Sequence, residues 1–191
     1  MKKIVAFALS IMTFTGFIFS SPVFAANEKD IDKHLETAHY YIRNTHYDNL
    51  SLEAKFVGSP EEYDVYLQPN DPNYDHQKVW IEYLPKYDAY RIRTSSSGQF
   101  RPLALSPKDN RLWFASTYEN NSENTELLWK FEPYGDGYVV RNMRQPNKIL
   151  QSGNPVRVGN RLVCQPNENS DGHYDRSQVW SFVWFDAPFN K

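Results

Sequence analysis

The chain has 191 residues, with 21 Lys and Arg against 23 Asp and Glu, a formal net charge of −2. That balance excludes a phosphate-backbone binder, which needs concentrated basic residues. Cys164 is the only cysteine, so an internal disulfide is excluded and stability must come from packing; 12 Phe, 13 Tyr and 5 Trp supply large buried areas for it.

The first segment reads as a secretory signal. Lys2 and Lys3 form a basic start, Ile4 to Phe19 is an apolar run, Ser20-Ser21-Pro22 breaks it, and Val23-Phe24-Ala25 offers small residues for a signal peptidase. The expectation is export, with residues 1–25 removed. A membrane anchor is the rival reading, but the run is short for a span of about 20 residues and a cleavage-like site follows it. No later segment is long and apolar enough to cross a bilayer. Cleavage after Ala25 leaves 166 residues with 19 basic against 23 acidic side chains, a net charge of −4. That length suits one domain with a sizeable core. Residues 26–39 form a polar leader. Ile31, Leu35 and Ala38 fall near helical spacing, so a short helix and a flexible segment both stay open.

From Tyr40 onward the signals are those of strands. Apolar and aromatic residues alternate over four to six positions, between clusters of Pro, Gly, Asn and Asp. Three patterns share one period. Gln77-Lys78-Val79-Trp80, Glu126-Leu127-Leu128-Trp129 and Ser177-Gln178-Val179-Trp180 place tryptophans 49 and 51 residues apart. Tyr41-Ile42-Arg43-Asn44, Arg91-Ile92-Arg93-Thr94 and Val139-Val140-Arg141-Asn142 repeat at 50 and 48. Val65-Tyr66-Leu67-Gln68, Leu112-Trp113-Phe114-Ala115 and Leu162-Val163-Cys164-Gln165 form the third set. A shared period means one structural unit used three times. Pro85 to Tyr90 and Pro133 to Tyr138 match as hairpin turns between units, because Pro presets a turn and Asp and Gly tolerate sharp backbone. Each unit holds about four strands: around Ile42, Leu50, Val65 and Trp80, around Ile92, Leu103, Phe114 and Trp129, and around Val140, Ile149, Leu162 and Trp180. Twelve short strands without a long helix call for a closed or capped all-β architecture.

The tail Gln178-Val179-Trp180, preceded by an isoleucine/valine strand and a leucine strand, resembles the QxW repeat of ricin B-type β-trefoil lectins. Trp80-Ile81-Glu82-Tyr83 through Ala89-Tyr90-Arg91-Ile92 is similar to trefoil haemagglutinin subunits of clostridial neurotoxin complexes and to the trefoil domains of bacterial binary insecticidal toxins. The resemblance implies an all-β β-trefoil over residues 40–186, with repeats at about 40–84, 85–132 and 133–186. It implies a core of Ile42, Ile92 and Val140; Val65, Leu112 and Leu162; Leu67, Phe114 and Cys164; and Trp80, Trp129 and Trp180. Cys164 is then a buried, inert thiol.

Trefoil lectins of this family carry an Asp after the second-strand Cys-Leu pair, where it accepts sugar hydroxyls. The matching positions read as Leu52, Leu105 and Gln151, or as Ser51, Ala104 and Leu150 with a slip of one, and none is an acid. The third repeat alone combines a strict Gln-x-Trp, a polar group at the acid position and a loop aromatic. Its candidate carbohydrate-binding residues are Gln151, Gln165, Asn167, Tyr174 and Gln178. In the first repeat Gln68, Asn70 and Gln77 echo them, with Gln77 one residue out of register against Trp80. Turn chemistry is the competing reading for each Asn and Gln.

The implied ligand is a glycan or host glycoprotein, with a toxin subunit as a companion, and neither nucleic acid nor a membrane span is expected. An assembly or receptor-binding subunit without sugar binding, and a secreted protease inhibitor, remain open. Catalysis finds little support: phosphate loops, nucleophile elbows, Cys-x-x-Cys and His-Glu-x-x-His are all missing from the sequence. His34, His39, His46, His76 and His173 lack metal-ligand spacing, and no cofactor is expected. Arg91, Arg93 and Arg101 read as the solvated face of one strand and its neighbour, with a small basic patch as the alternative.

Overall fold

Alternating apolar side chains and Pro-, Gly- and Asn-rich interruptions produce twelve strands in the computed structural model, which describes residues 35–57, 62–94, 100–106, 108–115, 124–153, 155–167 and 172–184. The expected signal segment and most of the leader lie outside the described residues. The strands are β1 (Ala38–Asn44), β2 (Leu50–Phe56), β3 (Glu62–Pro69) and β4 (Val79–Leu84) in the first repeat. The second has β5 (Ala89–Thr94), β6 (Leu103–Leu105), β7 (Leu112–Ala115) and β8 (Leu128–Tyr134). The third has β9 (Gly137–Asn142), β10 (Lys148–Gln151), β11 (Val163–Pro166) and β12 (Val179–Trp184). The four-strand units are those expected from the period. β1 begins at Ala38, two residues inside the segment read as leader, because Ala38, His39 and Tyr40 pair with Ile81, Trp80 and Val79.

Six strands close a ring of antiparallel pairs: β1 with β4, β4 with β5, β5 with β8, β8 with β9, β9 with β12, and β12 with β1. Closure removes the free edges that would otherwise invite pairing. The remaining strands form three hairpins, β2–β3, β6–β7 and β10–β11, and these pair with one another through β3–β7 and the bridges Tyr66–Arg161 and Arg111–Val163. A six-stranded barrel with three hairpins across one end is the β-trefoil arrangement.

The core sits inside the barrel and under the hairpins. Ile42, Ile92, Val140, Val65, Leu112, Leu162, Leu67, Phe114, Cys164, Trp129 and Trp180 are all fully buried. Each indole also satisfies its N–H: Trp129 Nε1 donates to the Leu103 carbonyl at 3.1 Å and Trp180 Nε1 to the Leu150 carbonyl at 3.0 Å. An aromatic stack lines the barrel, with Phe131 against Tyr90 at 4.2 Å and against Phe182 at 4.5 Å between ring centroids. The chain turns sharply between repeats. Gly135 takes φ +59° between β8 and β9, and Gly137 packs so closely that a Cβ would lie 2.7 Å from the Trp180 carbonyl oxygen.

One expected core residue is misplaced. Tyr90 pairs with Trp129 and Tyr138 with Trp180, but Tyr40 pairs with Val79. Val79 therefore holds the tryptophan position of the first repeat and is fully buried. Trp80, one residue on, points the other way along the pleat and is half-buried, edge-on to His39 at 4.8 Å. The solvated reading of the arginines also fails, since Arg91 and Arg101 are buried.

Candidate functional site

Corresponding positions in the three hairpins follow from the pairs at their centres. Leu52 faces Leu67, Leu103 faces Phe114 and Leu150 faces Cys164, all inside the core. The next residue in each repeat is the acid position of the lectin pattern: Glu53, Ala104 and Gln151. Neither sequence register placed all three, and the first repeat does carry an acid there. The turns before β4, β8 and β12 agree. Gln77 N donates to the Tyr74 carbonyl, Leu127 N to Asn124 and Gln178 N to Asp175, each three residues back. Gln77 is thus in register with Gln178, two residues before Val79 as Gln178 is before Trp180.

The first repeat brings these groups together. Gln77 is almost fully buried; its Nε2 donates to Glu53 Oε2 at 3.2 Å and to the Pro69 carbonyl at 2.7 Å, while its Oε1 accepts from Asp71 N at 2.9 Å. Glu53 is itself largely buried, 9 % exposed, and Gln77 holds its Oε2. Tyr74 lies beside it and is 41 % exposed. Burial, with the negative charge of Glu53 as a smaller cause, raises the Tyr74 phenol above its ordinary pKa. His76 stacks on Tyr74 with centroids 4.8 Å apart, and its Nδ1–H donates to the Ala54 carbonyl at 3.1 Å. Tyr63 packs on the other side of His76 at 5.9 Å and Phe56 against Tyr63 at 5.8 Å. A held carboxylate therefore stands near a chain of packed aromatic rings that includes the exposed Tyr74.

The five residues expected to bind in the third repeat fall in three places. Gln151 and Gln178 occupy the places of Glu53 and Gln77, with Gln178 Oε1 accepting from Asp175 N at 2.9 Å. Gln165 is exposed on β11 opposite Ile149. Asn167 and Tyr174 belong to a separate cluster: Asn167 Nδ2 donates to the His173 carbonyl at 3.1 Å, as turn chemistry requires. Tyr174 sits edge-on to Tyr134 at 4.9 Å and accepts from Arg141 Nη2 at 3.1 Å. Tyr174 is four residues before Gln178, whereas Tyr74 is three before Gln77. That offset swings Tyr174 towards β9 and a cleft of about 220 Å3 shared with Thr45, His46, Asp136 and Arg176. The second repeat has Ala104 and Leu127 at the two positions and offers no polar pair.

Sequence spacing puts Leu52 or Ser51 at this position, whereas the observed strand register puts Glu53 there. Aligning the first repeat on Gln77 and on the Leu52–Leu67 pair finds Glu53. No group of three or more His, Cys, Asp or Glu side chains that could hold a metal ion occurs among the described residues. Nor is any helix there long and apolar enough to cross a membrane.

Searches against protein-family models and curated proteins found no match. Solved structures do match. A mosquitocidal holotoxin aligns with TM-score 0.66 at 21 % identity, over 79 % of this chain and 18 % of that one. The agglutinin of Rhizoctonia solani aligns with TM-score 0.61 at 12 % identity, over 80 % of this chain and 98 % of the agglutinin. A GlcNAcα1-4Gal-releasing endo-β-galactosidase from Clostridium perfringens aligns with TM-score 0.59 at 14 % identity, over 76 % of this chain and 32 % of the enzyme. The chain thus spans about the whole agglutinin but under a third of the other two. The likeness to these structures and the ring-and-hairpin topology agree: the chain is a β-trefoil.

Proposed function

We propose that the protein is a non-catalytic binding module that recognises a glycan, with its principal site in the first repeat. The observation that carries this reading is Glu53 held by Gln77 beside the exposed Tyr74 ring. A carboxylate accepts hydrogen bonds from neighbouring sugar hydroxyls, and an aromatic face packs against the apolar C–H side of the ring. Gln77 keeps the carboxylate from turning inward. Gln151 and Gln178 form a neutral and weaker version in the third repeat, and Asn167 and Tyr174 stand apart from it. Two sites on one chain would add avidity against a multivalent surface.

Likeness to an agglutinin supports the ligand class, and likeness to part of a mosquitocidal holotoxin supports a role as the targeting component of a toxin. Export through the segment 1–25 fits that role. Phe56, 52 % exposed beside the same site, favours one further reading, in which a protein receptor or toxin subunit docks there instead of a sugar. A glycan array probed with the purified chain tests the proposal. Binding to a defined glycan set that is lost in Glu53→Gln supports it. A clean array, together with a secreted protein captured from the same culture through Phe56, passes the site to the docking reading.

A further inference from the structure

The three repeats carry an internal comparison at one register position. On either side of Ile42, Ile92 and Val140 stand Tyr41 and Arg43 in β1, Arg91 and Arg93 in β5, and Val139 and Arg141 in β9. In the third repeat Arg141 is fully matched: its Nε and Nη2 each donate at 2.8 Å to the two oxygens of Glu132. In the first repeat Arg43 lies over the Tyr41 ring, 5.5 Å from its centroid. The second repeat has two guanidiniums where the others have one. Glu82, which takes the place of Glu132, stands 3.3 Å from Arg93 Nη2 and 3.7 Å from Arg91 Nη1 and hydrogen-bonds neither through that oxygen.

The shortfall is buried. Arg91 is 4 % exposed, and its Nε and Nη2, with Arg93 Nε, are sealed from solvent without a hydrogen-bond partner. The Tyr87 hydroxyl, close enough to couple electrostatically to Arg91, is buried and unpartnered as well. Burial and the neighbouring Arg93 charge lower the Arg91 pKa, the direction expected for a cation short of counter-charge. Buried charges are ordinarily paired, and an unmatched guanidinium is costly. Two positive charges against one negative leave an excess of one. The pair reaches the surface beside Glu82, where the Glu82 and Arg93 side chains are 32 % and 17 % exposed.

We propose that Arg91 and Arg93 form a binding site for a singly charged oxyanion group, a sulfate ester or a carboxylate, with the Tyr87 hydroxyl as a further donor. The planar guanidinium forks present the donors that such a group accepts from. The site is on the second repeat and does not depend on Glu53. An acidic substituent on a glycan and a free anion share this chemistry.

The test is calorimetric titration at matched ionic strength of wild type and Arg91→Val, which installs the third repeat's Val139 arrangement. The probes are sodium sulfate, galactose 3-sulfate and galactose. Wild type should bind sulfate or the sulfated sugar saturably, Arg91→Val should lose at least tenfold in affinity, and unsubstituted galactose should show no difference between the two proteins. Preference for galactose 3-sulfate over sulfate would identify the glycan as the source, and the reverse a free anion. Without anion, Arg91→Val should melt no lower than wild type, because Glu82 is then free to match Arg93. If Arg91→Val does not fold, Arg93→Gln carries the same comparison. Equal responses of wild type and variant to every probe would overturn the site.

Discussion

Asp64 joins all three repeats, so its removal should weaken the whole molecule. The side chain is buried on β3, and its Oδ1 lies 2.9 Å from Arg111 Nε and 2.8 Å from Arg111 Nη2 in the second repeat, and 2.5 Å from Arg161 Nη2 in the third. Asp64→Asn keeps the shape and leaves no cavity, so the change reads the charge alone. A hydrogen bond to a charged group contributes about 1.5–3 kcal/mol, and two arginines are affected. The Arg111 and Arg161 side chains are 29 % and 41 % exposed, so water replaces part of the loss. A cost of about 2–4 kcal/mol remains, against the roughly 5–15 kcal/mol that holds a typical domain. Urea unfolding should show a lower midpoint with an unchanged slope. Asp88→Asn is the control. Its ion pair with Lys130 is on the surface, and its left-handed backbone, φ +46°, suits Asn. That change should cost under about 1 kcal/mol. Equal losses at Asp64 and Asp88 would refute the view that the hairpins are locked through one buried carboxylate.

Cys164 should resist thiol reagents in the native protein and react after denaturation, and Cys164→Ser should cost about 1–3 kcal/mol by burying a hydroxyl. Burial raises the thiol pKa, and it raises the Tyr90 phenol to about 12. The unfolded chain therefore releases these protons first, so their stabilisation is complete below pH about 8.5 and falls as pH rises above it. Chemical unfolding between pH 8 and 10 should show a flatter loss in Cys164→Ser than in wild type. Mass spectrometry of exported protein should find the chain beginning after Ala25, and retention of Lys2 and Lys3 would defeat the export proposal. Gln151→Glu places an acid at the position that Glu53 holds in the first repeat and should strengthen the third-repeat site several-fold in glycan titration; a change that leaves affinity untouched would show that this repeat does not bind.

The fold was readable because three independent patterns kept one period, and each anchored a different strand of the unit. Ile42, Ile92 and Val140 alone would mark barrel strands, while Leu67, Phe114 and Cys164 mark the hairpins. Trp80 is the conspicuous side chain of the first repeat, but it is not the buried anchor. The pairing of Tyr40 with Val79 shows that the smaller residue fills the position, with the tryptophan one step round the pleat. Glu53 is not legible from spacing, because its placement depends on a Gln77 bond across 24 residues of sequence. Tyr74 and Tyr174 look equivalent in sequence, yet a one-residue offset sends one to a carboxylate and the other to Arg141. Arg91 could not be placed by alternation, which points it away from the core beside Ile92. Its burial comes from packing on the outer face of the barrel, where it pairs with Glu82 on one side and Leu128 on the other.

The central claim is that Glu53, oriented by Gln77 and flanked by Tyr74, binds a sugar. The direct measurement is calorimetric titration of the best array glycan into wild type, Glu53→Gln and Tyr74→Ala, each checked for unchanged unfolding midpoint. Loss of charge-assisted hydrogen bonds should weaken binding about ten- to hundredfold in Glu53→Gln, with a loss of similar order in Tyr74→Ala as the stacking face is removed. Folded variants that bind this glycan with wild-type affinity would contradict the account.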